Sequence, residues 1–180
     1  MDSELRLLER INEGDRKAQR ELYDRYAGTA MAVAMRYVAD SDAARDVLQE
    51  AFIKVFTHVV RFQPKGEGTL KAWVMRVVAH EAVDWLKKHR PIVHMEELSD
   101  NIPEEEEPDV GNVPLEVLQQ MIQELPDGYR LVFTLYVMEQ KSHKEIASLL
   151  GIREDSSASQ FLRAKRTLAK AINNYKRQQR

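Results

Sequence analysis

The stretch SHKEIASLLGIREDSSASQFLRAKRTL, residues 142–168, decides the fold, because it reads as two helices around a tight turn. Ser142 and Glu145 stand at the spacing where a hydroxyl and a carboxylate can each satisfy an orphan backbone donor at a helix start. Ile146, Ala147, Leu149 and Leu150 then supply the apolar face of a first helix. Gly151 follows directly, where the chain must turn and a residue tolerant of positive φ is favoured, and Ile152 can pin the corner. Asp155 is the expected cap of a second helix. Along it Ser157, Phe161, Ala164 and Leu168 recur at helical spacing, leaving Ser156, Ser159, Gln160, Arg163 and Arg166 on other faces. Short polar groups come first and cations follow, the order in which a helix in the major groove reads base edges and neutralises phosphates. An ordinary helical hairpin with a solvated basic face has the same spacing, so the pattern alone leaves both readings open.

The 180 residues are 43% hydrophobic and 31% charged, with few Gly and Pro, a composition that argues for helices and against a many-stranded sheet. There is no cysteine, which excludes disulfides and thiolate metal sites. No apolar run approaches the roughly 20 residues of a membrane helix, and the start lacks the basic and apolar regions of a signal peptide. The expectation is a cytoplasmic protein without membrane insertion. The net charge of −2 conceals an uneven distribution: 16 Lys+Arg against 14 Asp+Glu in residues 1–90, none against 8 in 91–113, and 11 against 7 in 114–180. A local basic surface, not the total, governs phosphate binding.

Leu5, Leu8 and Ile11 share one face of a first expected helix, and Ala18, Leu22 and Tyr26 one face of a second, with Asn12 to Asp15 as the break. Met31, Ala34, Tyr37 and Val38 read as a further helix that Asp40 to Asp42 ends. From Asp42 to Val60 the stripe Ala44, Val47, Leu48, Ala51, Phe52, Val55, Phe56 and Val59 packs in a core. Its opposite face carries Asp42, Arg45, Asp46, Gln49, Glu50 and Lys54, a solvated surface or a docking surface for a partner helix. Pro64, Gly66 and Gly68 enforce a loop, and helix resumes near Leu70 with Val74, Val77, Val78, Ala82 and Trp85 inward and Trp73 alongside. Both tryptophans read as core anchors. His80, Glu81 and Asp84 resemble the zinc-protease helix motif, but the second histidine is replaced by Asp84 and no third ligand is evident, so no metal is expected.

Residues 91–113 are punctuated by Pro91, Pro103, Pro108 and Gly111 around the acidic run Glu104 to Glu107, and read as a mobile tether. Helix returns with Leu115, Leu118, Met121, Ile122 and Leu125. Pro126 starts the next helix, which carries Leu131, Val132, Leu135 and Val137 inward, and the basic tail from Asn173 to Arg180 is expected to fray. The fold class is therefore all-α: two small helical domains, residues 1–90 and 114–180, joined by an acidic flexible linker over 91–113, the C-terminal domain being a helix-turn-helix.

Taken together, these segments resemble a known family. Residues 42–56, DAARDVLQEAFIKVF, resemble the core-polymerase-binding helix of bacterial sigma factors of the extracytoplasmic-function (ECF) subfamily. The stretch from Arg61-Phe62 through Trp73-Val74 to DWLKKHR at 84–90 looks like the promoter-melting segment that follows it. LPDGYR at 125–130, KEIASLLG at 144–151 and SSASQFLRAK at 156–165 look like that family's C-terminal domain, and the match runs through nearly the whole chain in the family's order.

The resemblance implies an initiation subunit of RNA polymerase, not an enzyme and without cofactors, whose partners are core RNA polymerase, promoter DNA and an anti-sigma factor. By the same resemblance residues 1–90 would be region 2, binding polymerase through Asp46, Gln49 and Glu50. The Phe62–Thr69 loop, with Phe62, Gln63, Lys65 and Thr69, would capture a flipped base of the −10 element beside Arg76 and His80. Residues 114–180 would be region 4, reading the −35 element through Ser156, Ser159, Gln160 and Arg163, with Arg130, Lys144 and Arg166 on the backbone. The acidic linker would thread the polymerase's RNA-exit region. His80 stands where family members commonly have Asn, Ala158 where a polar or basic residue is common, and the Gly-Glu-Gly loop is atypical, so no −10 sequence follows from it. Two other classes remain as alternatives: a stand-alone helix-turn-helix regulator, which would bind a palindrome as a dimer without polymerase, and a metal-dependent hydrolase.

Overall fold

The computed structural model describes residues 3–66, 68–89, 110–111 and 113–179. The acidic run Glu104 to Glu107 and most of the expected linker lie outside these residues. The chain folds as two units, Met1–Lys88 and His89–Arg180, each packed around its own core. Among the described residues there is no strand, so the architecture is all-α.

The first unit holds α1 (Ser3–Asn12), α2 (Arg16–Tyr37), α3 (Ser41–His58), a 3-10 turn (Val59–Arg61) and α4 (Thr69–His89). Asp15 starts α2 by accepting the Lys17 amide at 2.8 Å, and Asp40 starts α3 by accepting the Ala43 amide at 2.8 Å. Arg10 ties the α1–α2 corner by reaching both Asp15 and Glu21 at 2.8 Å. The expected stripe of α3 is inward: Ala44, Val47, Leu48, Ala51, Phe52, Val55 and Val59 are buried and Phe56 is half-buried. Each Val, Leu or Phe removed from water contributes roughly 1.5–3 kcal/mol, so this stripe sets which face of α3 remains outside.

Three readings change. α2 is one helix through Met31, because Ala30, Val33 and Ala34 continue the buried face of Leu22 and Tyr26. Gly28 is exposed within it, and its cost of about 1 kcal/mol relative to alanine is small beside that burial. In α1, Leu5 is 41% exposed while Leu7 is buried. The inward face is Glu4, Leu7, Leu8 and Ile11, an i, i+3, i+4, i+7 pattern whose first member is a carboxylate. Trp73 and Trp85 stand at the rim of the core, each half-buried.

The second unit holds α5 (Leu115–Gln123), α6 (Asp127–Phe133), a π turn (Thr134–Met138), α7 (His143–Leu150) and α8 (Glu154–Gln178). α8 is the spine against which α5, α6 and α7 pack, and Leu125, Ala164 and Leu168 form a core covered by Met121, Ile122, Tyr129 and Phe133. The capping box of α7 is present in full: Ser142 Oγ accepts the Glu145 amide, and the Glu145 carboxylate accepts the Ser142 amide at 2.8 Å. Gly151 has φ 69° and ψ 33°, the left-handed cap that any side chain would strain.

Here too the structure corrects details. α8 begins at Glu154 behind Arg153, and Asp155 lies inside its first turn, where its charge still favours the helix dipole but caps nothing. The helix starts early because the Ile152 amide bonds Ala147 O at 3.1 Å and closes the turn at once. The expected fraying tail is helical to Gln178, held by buried Ile172 and half-buried Tyr175, with Lys176 and Arg177 in its last turn. Val137 is exposed rather than inward, since the π turn adds a residue and rotates Tyr136, Val137 and Met138 outward past buried Leu135.

Candidate nucleic-acid interface

On α8 the buried side is Ser157, Gln160, Ala164 and Leu168. Ser159 is exposed, and Ser156, Arg163 and Arg166 are half-buried. Ser159, Arg163 and Arg166 share one face at i, i+4, i+7, extended by exposed Lys170, which residue spacing alone does not single out. Leu162 is half-exposed beside that face, an apolar group of the kind that meets a thymine methyl. Lys144 is exposed in the first turn of α7.

Two expected contact residues are elsewhere. Gln160 is buried, with its Oε1 so close to Gly128 that a Cβ there would fall 2.9 Å away. It packs α8 against α6. Arg130 is 2% exposed and donates to Leu125 O at 2.6 Å, to Gln123 O at 3.0 Å and to the Asp127 carboxylate. Its guanidinium satisfies the carbonyls at the end of α5, so it is a staple of the α5–α6 corner.

An aromatic sandwich fixes α7 on α8. The rings of Tyr136 and His143 stack at 4.5 Å, Tyr136 meets Phe161 at 4.4 Å, and His143 Nδ1 lies 3.0 Å from Ser157 Oγ. The available signal for this pairing is Ser157 itself, a polar residue on the apolar stripe that needs a partner.

In the first unit Asp46, Gln49 and Glu50 are exposed on α3, opposite the buried stripe. Lys54, on the same helix, turns instead to buried Glu81 of α4, an ion pair whose hydrogen bond raises the Lys54 pKa. His80 and Asp84 are exposed while Glu81 is engaged with Lys54, so the zinc-protease likeness does not converge on a point. Among the described residues no group of three His, Cys, Asp or Glu is placed to hold a metal ion.

The loop between the 3-10 turn and α4 is closed by Thr69, whose hydroxyl donates to Gly66 O at 2.7 Å and accepts the Lys65 amide at 3.3 Å. Phe62 lies with its ring 5.0 Å from that of Trp73 at 31°, both half-buried, and Gln63 and Lys65 are exposed. Arg76 and His80 are exposed one turn apart on α4. The loop, the aromatic pair and these two side chains together offer hydrogen-bond donors, cations and a flat apolar surface, the components of a single-strand site.

Among the described residues no helix is long and apolar enough to cross a membrane. Two family models match the chain, Sigma-70 region 2 over residues 22–92 and Sigma-70 region 4 over residues 115–168. The ECF RNA polymerase sigma factor SigM of Bacillus subtilis is 27% identical over 157 residues, covering 86% of this chain and 94% of that protein. The sigma-H factor of Pseudomonas aeruginosa is 27% identical over 184 residues, covering 95% of this chain and 94% of its own. The ECF sigma-E factor of Escherichia coli is 29% identical over 175 residues, 90% of each. With both regions matched in order and relatives aligned through nearly their full length, the chain belongs to the sigma-70 family of RNA polymerase factors, in its ECF subfamily.

Proposed function

We propose that this sigma factor docks on core RNA polymerase through Asp46, Gln49 and Glu50 of α3 and directs it to promoters by two DNA contacts, one in each unit. The α8 face Ser156, Ser159 and Arg163 reads the −35 element, with Lys144 and Arg166 on phosphates. The loop from Phe62 to Thr69, with Gln63, Lys65, Arg76 and His80, takes a base flipped out of the −10 element. Extruding a base costs a few kcal/mol. Stacking it on an aromatic ring returns roughly 1–3 kcal/mol, so capture on the Phe62–Trp73 pair offsets most of the first step of opening. Each contact is weak alone, and polymerase joins them by raising the effective concentration of the second once the first is made.

In this reading residues 1–90 and 114–180 are the two functional domains and the acidic segment 91–113 follows the polymerase's basic RNA-exit path. The chain catalyses nothing itself, works in the cytoplasm with the polymerase, and is held in check by an anti-sigma protein. The observation that carries the reading is the presence, in one chain, of a cationic helix-turn-helix face and a loop beside a half-exposed aromatic stack. Transcription of fragmented genomic DNA by core polymerase, with and without the chain and mapped at 5′ ends, tests it. New start sites sharing −35 and −10 elements are expected; failure to associate with core enzyme overturns the proposal. Tight duplex binding by a dimer of the chain alone would indicate a stand-alone regulator instead.

A further inference from the structure

Glu4 of α1 is a buried carboxylate that the contacts assigned above do not use. Its Oε1 accepts the Tyr26 hydroxyl at 2.9 Å and its Oε2 accepts the Gly68 amide at 3.2 Å. Gly68 is the residue at which the loop hands over to α4, and its backbone has φ +77°. A carboxylate there meets a charge-assisted bond and the positive end of α4 together. α1 also packs on the 3-10 turn Val59–Arg61, through which the chain enters the same loop. One short helix thus touches the loop at both of its ends. Burial, first, and the bond to Glu4 push the Tyr26 phenol up to about 12, consistent with a phenol that stays a donor throughout the neutral range.

We propose that Glu4 is a positioning residue for base capture: it fixes the exit of the Phe62–Gly68 loop so that the loop has its shape before DNA arrives. This rests on the reading of that loop as the −10 site. Preorganisation of this kind lowers the cost of ordering the loop at the moment of binding, so it acts on promoter opening and not on docking or −35 contact.

The test uses holoenzyme assembled from core polymerase and the full chain, on a promoter found by the mapping above, with 2-aminopurine scanned through the opened segment. Glu4→Leu removes both acceptors at similar volume and is expected to slow opening about tenfold, the worth of the lost bond to the Gly68 amide, while core affinity stays unchanged. A template melted in advance restores its transcription. Glu4→Gln keeps both links, its carbonyl accepting from Gly68 and its amide donating to the Tyr26 oxygen, and is expected to open within about threefold of the parent. Opening by Glu4→Leu at the parent rate overturns the inference. So does equal loss of core binding and helix content, which would make Glu4 a general structural residue, and so does a Glu4→Gln variant as slow as Glu4→Leu. If the parent chain itself opens no promoter with core enzyme, the reading of the loop fails instead.

Discussion

In the second unit the corner between α7 and α8 is held by partners close in sequence. Ser142 and Glu145 cap one another, Gly151 turns the chain, and His143 reaches Ser157 only 14 residues on. In the first unit the loop and its helices are held by distant partners: Lys54 pairs with Glu81 across 27 residues, and Glu4 bonds Gly68 across 64. The turn between α7 and α8 is therefore set by its own residues, whereas the loop, closed locally by Thr69, also depends on α1 to hold its Gly68 end. A reader of duplex DNA gains from the first kind of support, because base-edge contacts demand a fixed pose. On the reading proposed above, a loop that takes a flipped base gains from the second, because a distant anchor orders it before DNA arrives.

The largest expected effect lies in the local support of the second unit. Arg130→Ala leaves the Leu125 and Gln123 carbonyls and Asp127 without their donor, and is expected to destabilise that unit by about 3 kcal/mol. Both tryptophans, Trp73 and Trp85, lie in the first unit, so tryptophan emission reports that unit and circular dichroism reports both. Denaturant unfolding should show an earlier dichroism transition with an unmoved emission transition. If both moved together, the two units would not unfold independently.

Arg163→Ala tests the reading face rather than the support. It is expected to cost about 2 kcal/mol of −35 discrimination, measured by competition between holoenzyme bound to parent and substituted −35 sequences, with core binding unchanged. Loss of both together would mean that α8 serves polymerase and not DNA. Gly151→Ala is smaller, about 1 kcal/mol in the dichroism transition, since only the left-handed turn is strained and no atom lies within 4 Å of the added methyl.

The same contrast explains what is legible in the sequence. The capping box, the Gly151 turn and the α3 stripe are local patterns, and the helices form where those patterns place them. Gln160 and Arg130 are buried where spacing alone leaves them outside, because spacing puts a residue on a face but does not say which neighbour covers it. Gln160 lies one position off the apolar stripe and α6 closes over it at Gly128; Arg130 is a cation that finds backbone carbonyls before it finds solvent. Glu4 escapes notice for the same reason in reverse. A glutamate next to Leu5 looks exposed, and only the docking of α1 shows that the inward face passes through Glu4 and Leu7.

The capping box adds an acid limit to the second unit, while Tyr26 and Lys54 add an alkaline limit to the first, beside the acid limit that Asp15, lowered by Arg10, gives it; each effect is smaller than any substitution above. The Ser142 amide, then its hydroxyl, hold the Glu145 carboxyl below the ordinary carboxylate range. A depressed carboxylate contributes stability that is present above its unfolded pKa and is lost as pH falls through the folded value, so the box gives the second unit an acid limit. Tyr26 is raised from 10.0 to about 12, so its contribution is complete below pH 10 and is lost as pH rises toward 12. Lys54, raised by its bond to Glu81, loses its contribution in the same alkaline direction. Unfolding followed across pH 9–12 by tryptophan emission should therefore show a shallower alkaline decline for Tyr26→Phe, with the remaining slope belonging to Lys54. Dichroism of Ser142→Ala should in turn show a shallower acid decline, while its emission transition stays at the parent position. An unchanged alkaline slope in Tyr26→Phe would mean that the phenol is not held by Glu4 as the structure places it, and the long-range support of the loop would have to come from the packing of α1 alone.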